Sequence, residues 1–296
     1  MTVADRTAKV GAGDEPVPDD LDDTDDRDDR DDTDDTDDTD DAAAQAFWRT
    51  YPSRQLAELA VVIAAYNEEG GIASVLQAVP STVRGLGVDV IVVVDGASDR
   101  TAERAASVPG VLVADVPVNR GQGAALRLGY RLARAGGARY IATLDGDGQY
   151  DPAELELLLE PLIADRADFV SGSRRLGVAH TTDRVRGTGV VFFAAVLSVL
   201  ARTKITDPAN GLRAMRAEVT AAVPLHQQQY QASELLLGAA LRGFRLTEVP
   251  TTMRQRSSGS TKKGRNLLYG ARFARAIAAT WWRLSVSERL SARRSR

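Results

Sequence analysis

Between residues 59 and 171, short apolar runs alternate with amphipathic stretches, and this alternation most constrains what the chain can fold into. The runs at 59–65, 88–94, 111–116, 140–144 and 168–171 have the length and β-branched content of buried strands. Between them, residues 71–79, 99–106 and 123–135 carry helical spacing, and Asp151-Pro152 opens a further helix with proline at a first-turn position. Asp99 is the expected cap of the second helix. Such a βαβ series predicts an α/β fold with a mostly parallel sheet flanked by helices. Ligands on such sheets bind beyond the carboxyl ends of the strands. Polar clusters stand at those ends: Tyr66-Asn67-Glu68, Asp95-Gly96, and Asp145 to Gln149.

The last cluster, Asp145-Gly146-Asp147-Gly148-Gln149, is the most informative chemically. Two carboxylates and an amide alternate with glycines that let the backbone turn sharply. Oxygen donors in this pattern suit Mg2+ or Mn2+ held jointly with substrate phosphates. Taken alone, the same pattern also fits an acidic turn at a strand end. Asn119-Arg120-Gly121-Gln122-Gly123 precedes a helix but is neither a dinucleotide fingerprint nor a Walker loop.

Charge divides the chain. Residues 1–45 carry 19 acidic and 4 basic side chains, a net of −15; the whole chain is −4, so residues 46–296 carry +11. The Asp-Asp-Xaa repeats of the first segment predict a disordered acidic tail. The glycines and apolar anchors of known calcium loops are missing from it. The expected organisation is this tail at 1–45, an α/β domain at 46–264, and an amphipathic helix with a basic tail at 265–296. The basic body points to polyanionic partners. No nucleic-acid motif accompanies it, so nucleic acid is not an expected partner. No apolar run approaches the roughly 20 residues that span a bilayer. Trp281 and Trp282 among arginines suit either a water–lipid interface or a helix docked on the protein. The absence of cysteine excludes disulfides and thiolate metal sites.

These ordered motifs resemble the inverting glycosyltransferases of family 2, with the GT-A fold, and within them the dolichyl-phosphate mannose synthase-like branch of polyprenyl-phosphate sugar synthases. The resemblance covers roughly residues 58–264. It implies that Tyr66, Asn67, Glu68 and Asp95 hold the nucleoside of a nucleotide-sugar. It implies a Mg2+ or Mn2+ site at Asp145, Asp147 and Gln149, with Asp145 also serving the donor and Asp147 catalysis. Gln122, also expected to contact the nucleotide-sugar, stands where the family usually has Lys, so a cationic role there is lost or moves to Arg120. Val94 stands where another Asp is frequent. Gly172-Ser173-Arg174 and Asp207-Pro208-Ala209-Asn210-Gly211-Leu212-Arg213 match two further motifs, and Arg256 to Lys262 a late basic one.

The implied reaction moves a hexose from a GDP- or UDP-linked donor. Arg256 and Lys262, on a flexible loop, are expected to close over the donor phosphates. If the acceptor is a polyprenyl phosphate, its nucleophile is already anionic, and Arg174 and Arg213 are the expected acceptor-phosphate binders. A sugar or small-molecule hydroxyl acceptor would need a carboxylate base, for which Asp207 and Glu234 are candidates. A nucleotide-sugar-binding protein without turnover is the third reading. The expected location is cytoplasmic, peripheral on the cytoplasmic face of an anionic membrane.

Overall fold

The computed structural model describes residues 33–179, 184–227, 229–254 and 267–287. The expected alternation is present. In chain order it runs β1 (Leu59–Ala65), α2 (Ile72–Ala78), β2 (Thr82–Val83), β3 (Leu86–Asp95), α3 (Thr101–Ala106), β4 (Val111–Val116), α4 (Gln122–Ala135) and β5 (Tyr140–Thr143). Helix α1 (Thr33–Thr50) precedes them. A 3-10 turn at Pro152–Glu154 leads into α5 (Leu155–Ile163), with the Asp151 carboxylate accepting from the Ala153 amide. Then follow β6 (Phe169–Ala179), α6 (Arg184–Ala201), β7 (Arg213–Arg216), α7 (Ala217–Ala222), α8 (Gln231–Leu241), β8 (Leu246–Met253) and α9 (Leu267–Trp282).

The strands form one sheet in the order β2-β3-β1-β5-β7-β6-β8, with β4 also on β3. The pairs β1/β3, β1/β5, β3/β4 and β6/β8 are parallel. Strand β7 runs antiparallel to both β5 and β6, so the sheet is mixed. Side-chain alternation sorts the core to two faces. Leu59, Val61 and Ile63 of β1 pack with α2, α3 and α5, while Ala60 and Val62 pack with α4, α8 and α9. The chain builds outward from β1 through β3 to β4, then returns to the other side of β1 with β5. That reversal opens a crevice at the carboxyl ends of β1 and β5.

One expected boundary moves. Helix α1 covers residues 33–50, so the expected end of a disordered tail at residue 45 falls inside it. Ala44 and Phe47 are buried in the core, and Asp40 is only 3% exposed. Aspartates can be helical where their charge meets arginine, as it does here: Asp40 pairs with Arg120 and Arg127, and Asp41 with Arg131. Residues 1–32 of the expected tail lie outside the described residues.

Helices α6 and α9 dock on the body: Ala194, Leu197, Phe273 and Ile277 are buried, and the Phe193 and Phe273 rings meet edge to face. Val199, Trp281 and Trp282 remain exposed. Among the described residues no helix is long and apolar enough to cross a membrane.

Candidate active site

The turn after β1 is stitched to the turn after β3. Asn67, at φ 52°, accepts from the Ser98 amide at 2.8 Å through its side-chain oxygen. The Glu68 amide donates to Thr101 Oγ1 at 2.8 Å. Asp99 accepts from the Thr101 hydroxyl and from the Thr101 and Glu69 amides. Burial works to raise the Asp99 carboxyl, but these bonds outweigh it and hold it below its usual range. The N-cap position of α3 is Arg100, one residue after the expected cap Asp99, which accepts from the Thr101 amide in the turn before the helix. Tyr66 is 37% exposed at the mouth of this region.

Asp95 ends β3 at 3% exposure. Its Oδ2 accepts from the amides of Arg120 and Gly121 at 3.0 and 2.7 Å. Burial pushes this carboxyl up, against those two bonds. Gly96 follows at φ +64°, and a Cβ there would lie 2.1 Å from the Asn119 amide nitrogen, so the 119–121 loop rests directly on the bend. Asp95 therefore fixes this loop. The Arg120 guanidinium turns inward to Asp40 at 2.6 Å and its side chain is 10% exposed.

Gln122, the first residue of α4, instead donates to Asp145 Oδ1 at 3.2 Å. The other Asp145 oxygen lies against Gly211, where a Cβ would come within 2.1 Å of it. Strand β7 explains this proximity. Thr143, two residues before Asp145, is in register with Arg213 and donates through Oγ1 to the Gly211 carbonyl at 2.8 Å. Arg213 is 3% exposed; it donates to the Asn210 carbonyl, while its Nε has no hydrogen-bond partner. Burial lowers its pKa, opposed by the charge of Asp145 among others. Asp145, Gly211 and Arg213 line one cavity with Gln122, Gln231 and Ser233. Sequence reading does not single out Gln231; it is 4% exposed with an unpartnered Oε1, and no motif marks it.

Asp147 is 6% exposed and accepts from the Gln149 amide at 3.0 Å. The Gln149 side chain donates to the Arg254 carbonyl at 3.3 Å, and Arg254 pairs with Asp151 at 2.6 Å. The acidic turn is thus tied to the end of β8. Arg256 and Lys262, expected to close over phosphates, lie outside the described residues.

Two expected roles meet contrary geometry. Arg174 grips Asp207 with Nε and Nη2, both at 2.6 Å, and its backbone amide donates to the same carboxylate at 3.0 Å. Burial alone would raise the Asp207 carboxyl, but the Arg174 guanidinium outweighs it and holds it below its usual range. Arg174 is raised in turn. A carboxylate held this way is a poor general base. Glu234 is equally committed: at 3% exposure it accepts from the His226 and Gln227 amides and from Arg283.

The donor set near the crevice is two carboxylates on one glycine-rich turn. Among the described residues no group of three or more His, Cys, Asp or Glu side chains could hold a metal. A hard divalent ion that keeps waters and shares substrate phosphates needs no more than one or two carboxylates, so Asp145 and Asp147 fit such an ion.

A ligand crevice at the carboxyl ends of β1 and β5, rimmed by acidic side chains, is the arrangement of a GT-A glycosyltransferase. Glucosyl-3-phosphoglycerate synthase from Mycobacterium tuberculosis, crystallised with Mn2+, uridine diphosphate and glucosyl-3-phosphoglycerate, shares the fold. Its TM-score is 0.59 at 23% identity, over 81% of this chain and 82% of that one. The chain belongs to glycosyl transferase family 2, whose pattern matches residues 60–223. It is 34% identical to the dolichyl-phosphate hexose transferase of Haloferax volcanii, over 69% of this chain and 86% of that protein. It is 29% identical to the undecaprenyl-phosphate mannosyltransferase of Micrococcus luteus, over 76% and 93% respectively.

Proposed function

We propose that this glycosyltransferase moves a hexose from a GDP- or UDP-linked donor to a polyprenyl phosphate. The observation that carries the reading is the commitment of both candidate bases, Asp207 to Arg174 and Glu234 to Arg283. A hydroxyl acceptor needs a base to take its proton. A phosphate oxygen is already anionic and attacks the anomeric carbon directly, displacing the nucleoside diphosphate with inversion. The names of the relatives from Haloferax volcanii and Micrococcus luteus point the same way.

In this reading Tyr66, Asn67, Glu68 and the loop fixed by Asp95 receive the nucleoside, and Gln122 orients Asp145. Asp145 and Asp147, with Gln149 as third candidate, hold Mg2+ or Mn2+. When bound, that ion offsets charge on the departing diphosphate. Arg213, buried with an unpartnered Nε, gives the cavity floor a positive charge that draws the acceptor phosphate. Arg174 acts by holding Asp207. Arg256 and Lys262 serve the donor phosphates. The enzyme sits peripherally on the cytoplasmic face of an anionic membrane. Trp282 (60% exposed) and Val199 (77%) supply apolar contact there.

The test is to incubate the purified protein with labelled UDP- and GDP-hexoses and a short polyprenyl phosphate, with and without chelator. Label should move to the lipid only when Mg2+ or Mn2+ is present. Full turnover in excess chelator removes the metal assignment. Transfer to phosphoglycerate or a sugar hydroxyl, with none to the lipid, replaces the acceptor.

A further inference from the structure

Helix α1 lies outside the region that matches the family, which begins at residue 60. Its lower half is nevertheless built into the body. Ala44 and Phe47 are core residues, and the Tyr51 hydroxyl accepts from the Val113 amide in β4 at 3.0 Å. These anchors set the register that brings Asp40 to α4. Asp40 is 3% exposed and takes two arginines: Arg120 Nη1 at 2.6 Å and Arg127 Nε at 2.8 Å. Arg120 lies between two buried carboxylates. Its Nε is 3.9 Å from Asp95 Oδ1, and neither Nε nor Nη2 has a hydrogen-bond partner. Asp95 in turn holds the amides of Arg120 and Gly121, one residue before Gln122 and its bond to Asp145.

Among the described residues, a guanidinium deprived of Asp40 keeps one carboxylate within ion-pair distance, Asp95. The two loop amides hold Asp95 Oδ2, while Oδ1, which faces the guanidinium, has no hydrogen-bond partner; closure onto Oδ1 would swing the carboxylate toward Arg120 and pull Oδ2 off the loop amides. We propose that Asp40 is a positioning residue for the donor site: by holding Arg120 away from Asp95 it keeps the 119–121 loop and the start of α4 in place. The acidic helix is then the rear wall of the nucleotide site. This rests on the reading of the crevice as a nucleotide-sugar site.

The full-length protein, Asp40→Asn and Asp41→Asn are titrated with UDP and with GDP in the presence of Mg2+, well below each melting midpoint. Asp40→Asn should weaken binding about tenfold and raise the donor KM alike, with kcat at saturation changed less than about twofold. Asp41 pairs with Arg131 at the surface, so Asp41→Asn should bind as wild type does. Leu162→Ala, on the opposite face of the sheet, controls for lost stability and should also bind normally. In an Arg120→Met background, which removes the charge that Asp40 restrains, Asp40→Asn should have no further effect on the dissociation constant. That pair of variants leaves the test intact if Asp40→Asn alone does not fold.

An unchanged dissociation constant in Asp40→Asn overturns the positioning role. So does an equal loss in Leu162→Ala, or an undiminished effect of Asp40→Asn in the Arg120→Met background. If wild type binds neither nucleotide, the donor-site reading itself fails and the positioning role with it. If wild type binds and only the Asp40 result fails, the donor-site reading stands alone.

Discussion

Arg174 and Arg213 each end a motif and stand at the same end of the sheet, yet their charges are spent differently. Arg174 closes on Asp207 in a bidentate pair, with the Asn210 amide group and the Arg174 backbone also bonded to that carboxylate. Arg213 is buried beside Asp145 without gripping it; Asp145 is held by the neutral Gln122, and Arg213 Nε lacks a partner. A fully satisfied pair gives rigidity and little chemistry. A buried charge left partly unsatisfied is costly to keep and is available to a ligand. The first pair is closed within the protein, and in the second region Arg213 keeps a donor without a partner.

The largest expected effect breaks the first pair. Arg174→Ala leaves Asp207 charged and 1% exposed, which should cost about 3–5 kcal/mol in a urea titration. Asp145→Asn should do the reverse. Its turnover should fall about 10²–10³-fold, while its unfolding free energy should fall by less than in Arg174→Ala. If Arg174→Ala retains full stability, or Asp145→Asn retains full turnover, the contrast between the two regions is lost.

Gly211→Ala sharpens the contrast. Its methyl group would meet Asp145 Oδ2 at 2.1 Å, so the carboxylate must move. A cost of about 1–3 kcal/mol, with turnover reduced as well, is expected. Changes in acid separate the regions further. Asp207 is held below its usual carboxyl range, and Asp168, bonded to Arg245, is lowered to about 2. Depressed carboxyls stabilise the fold fully above the unfolded value of 3.8 and lose that contribution as pH falls through the folded one. Stability should therefore decline from near pH 4 toward pH 2, and Asp207→Asn should flatten that decline. The smallest effect on folding belongs to Trp282→Ser, at a side chain 60% exposed: within about 0.5 kcal/mol of wild type. Its binding to anionic vesicles should nonetheless weaken, measured by sedimentation.

The first half of the fold is legible residue by residue. Strands β1, β3, β4 and β5 are local apolar runs bounded by turn residues, and each acquires its place from its own pattern. The polar residues at their ends follow from the same reading, because a parallel sheet puts them on one edge. Strand β7 is not legible this way. Arg213-Ala214-Met215-Arg216 has no strand-like run of apolar residues, and it is a strand because β5 and β6 flank it on both sides. Helix α1 misleads for a related reason. Its aspartates read as a solvated tail, and the arginines that neutralise Asp40 come from 80 and 87 residues away.

By itself the sequence determined the sheet's parallel half, the acidic turn at 145–149 and membership in a glycosyltransferase family, since strand period and turn chemistry are local properties. Only the tertiary structure decided which charges are paired. It sent Arg174 to Asp207 and Arg283 to Glu234, set Arg213 beneath Asp145, and buried Asp40 against α4. Pairing depends on which side chains meet across the sheet, and a linear pattern carries no record of those distances.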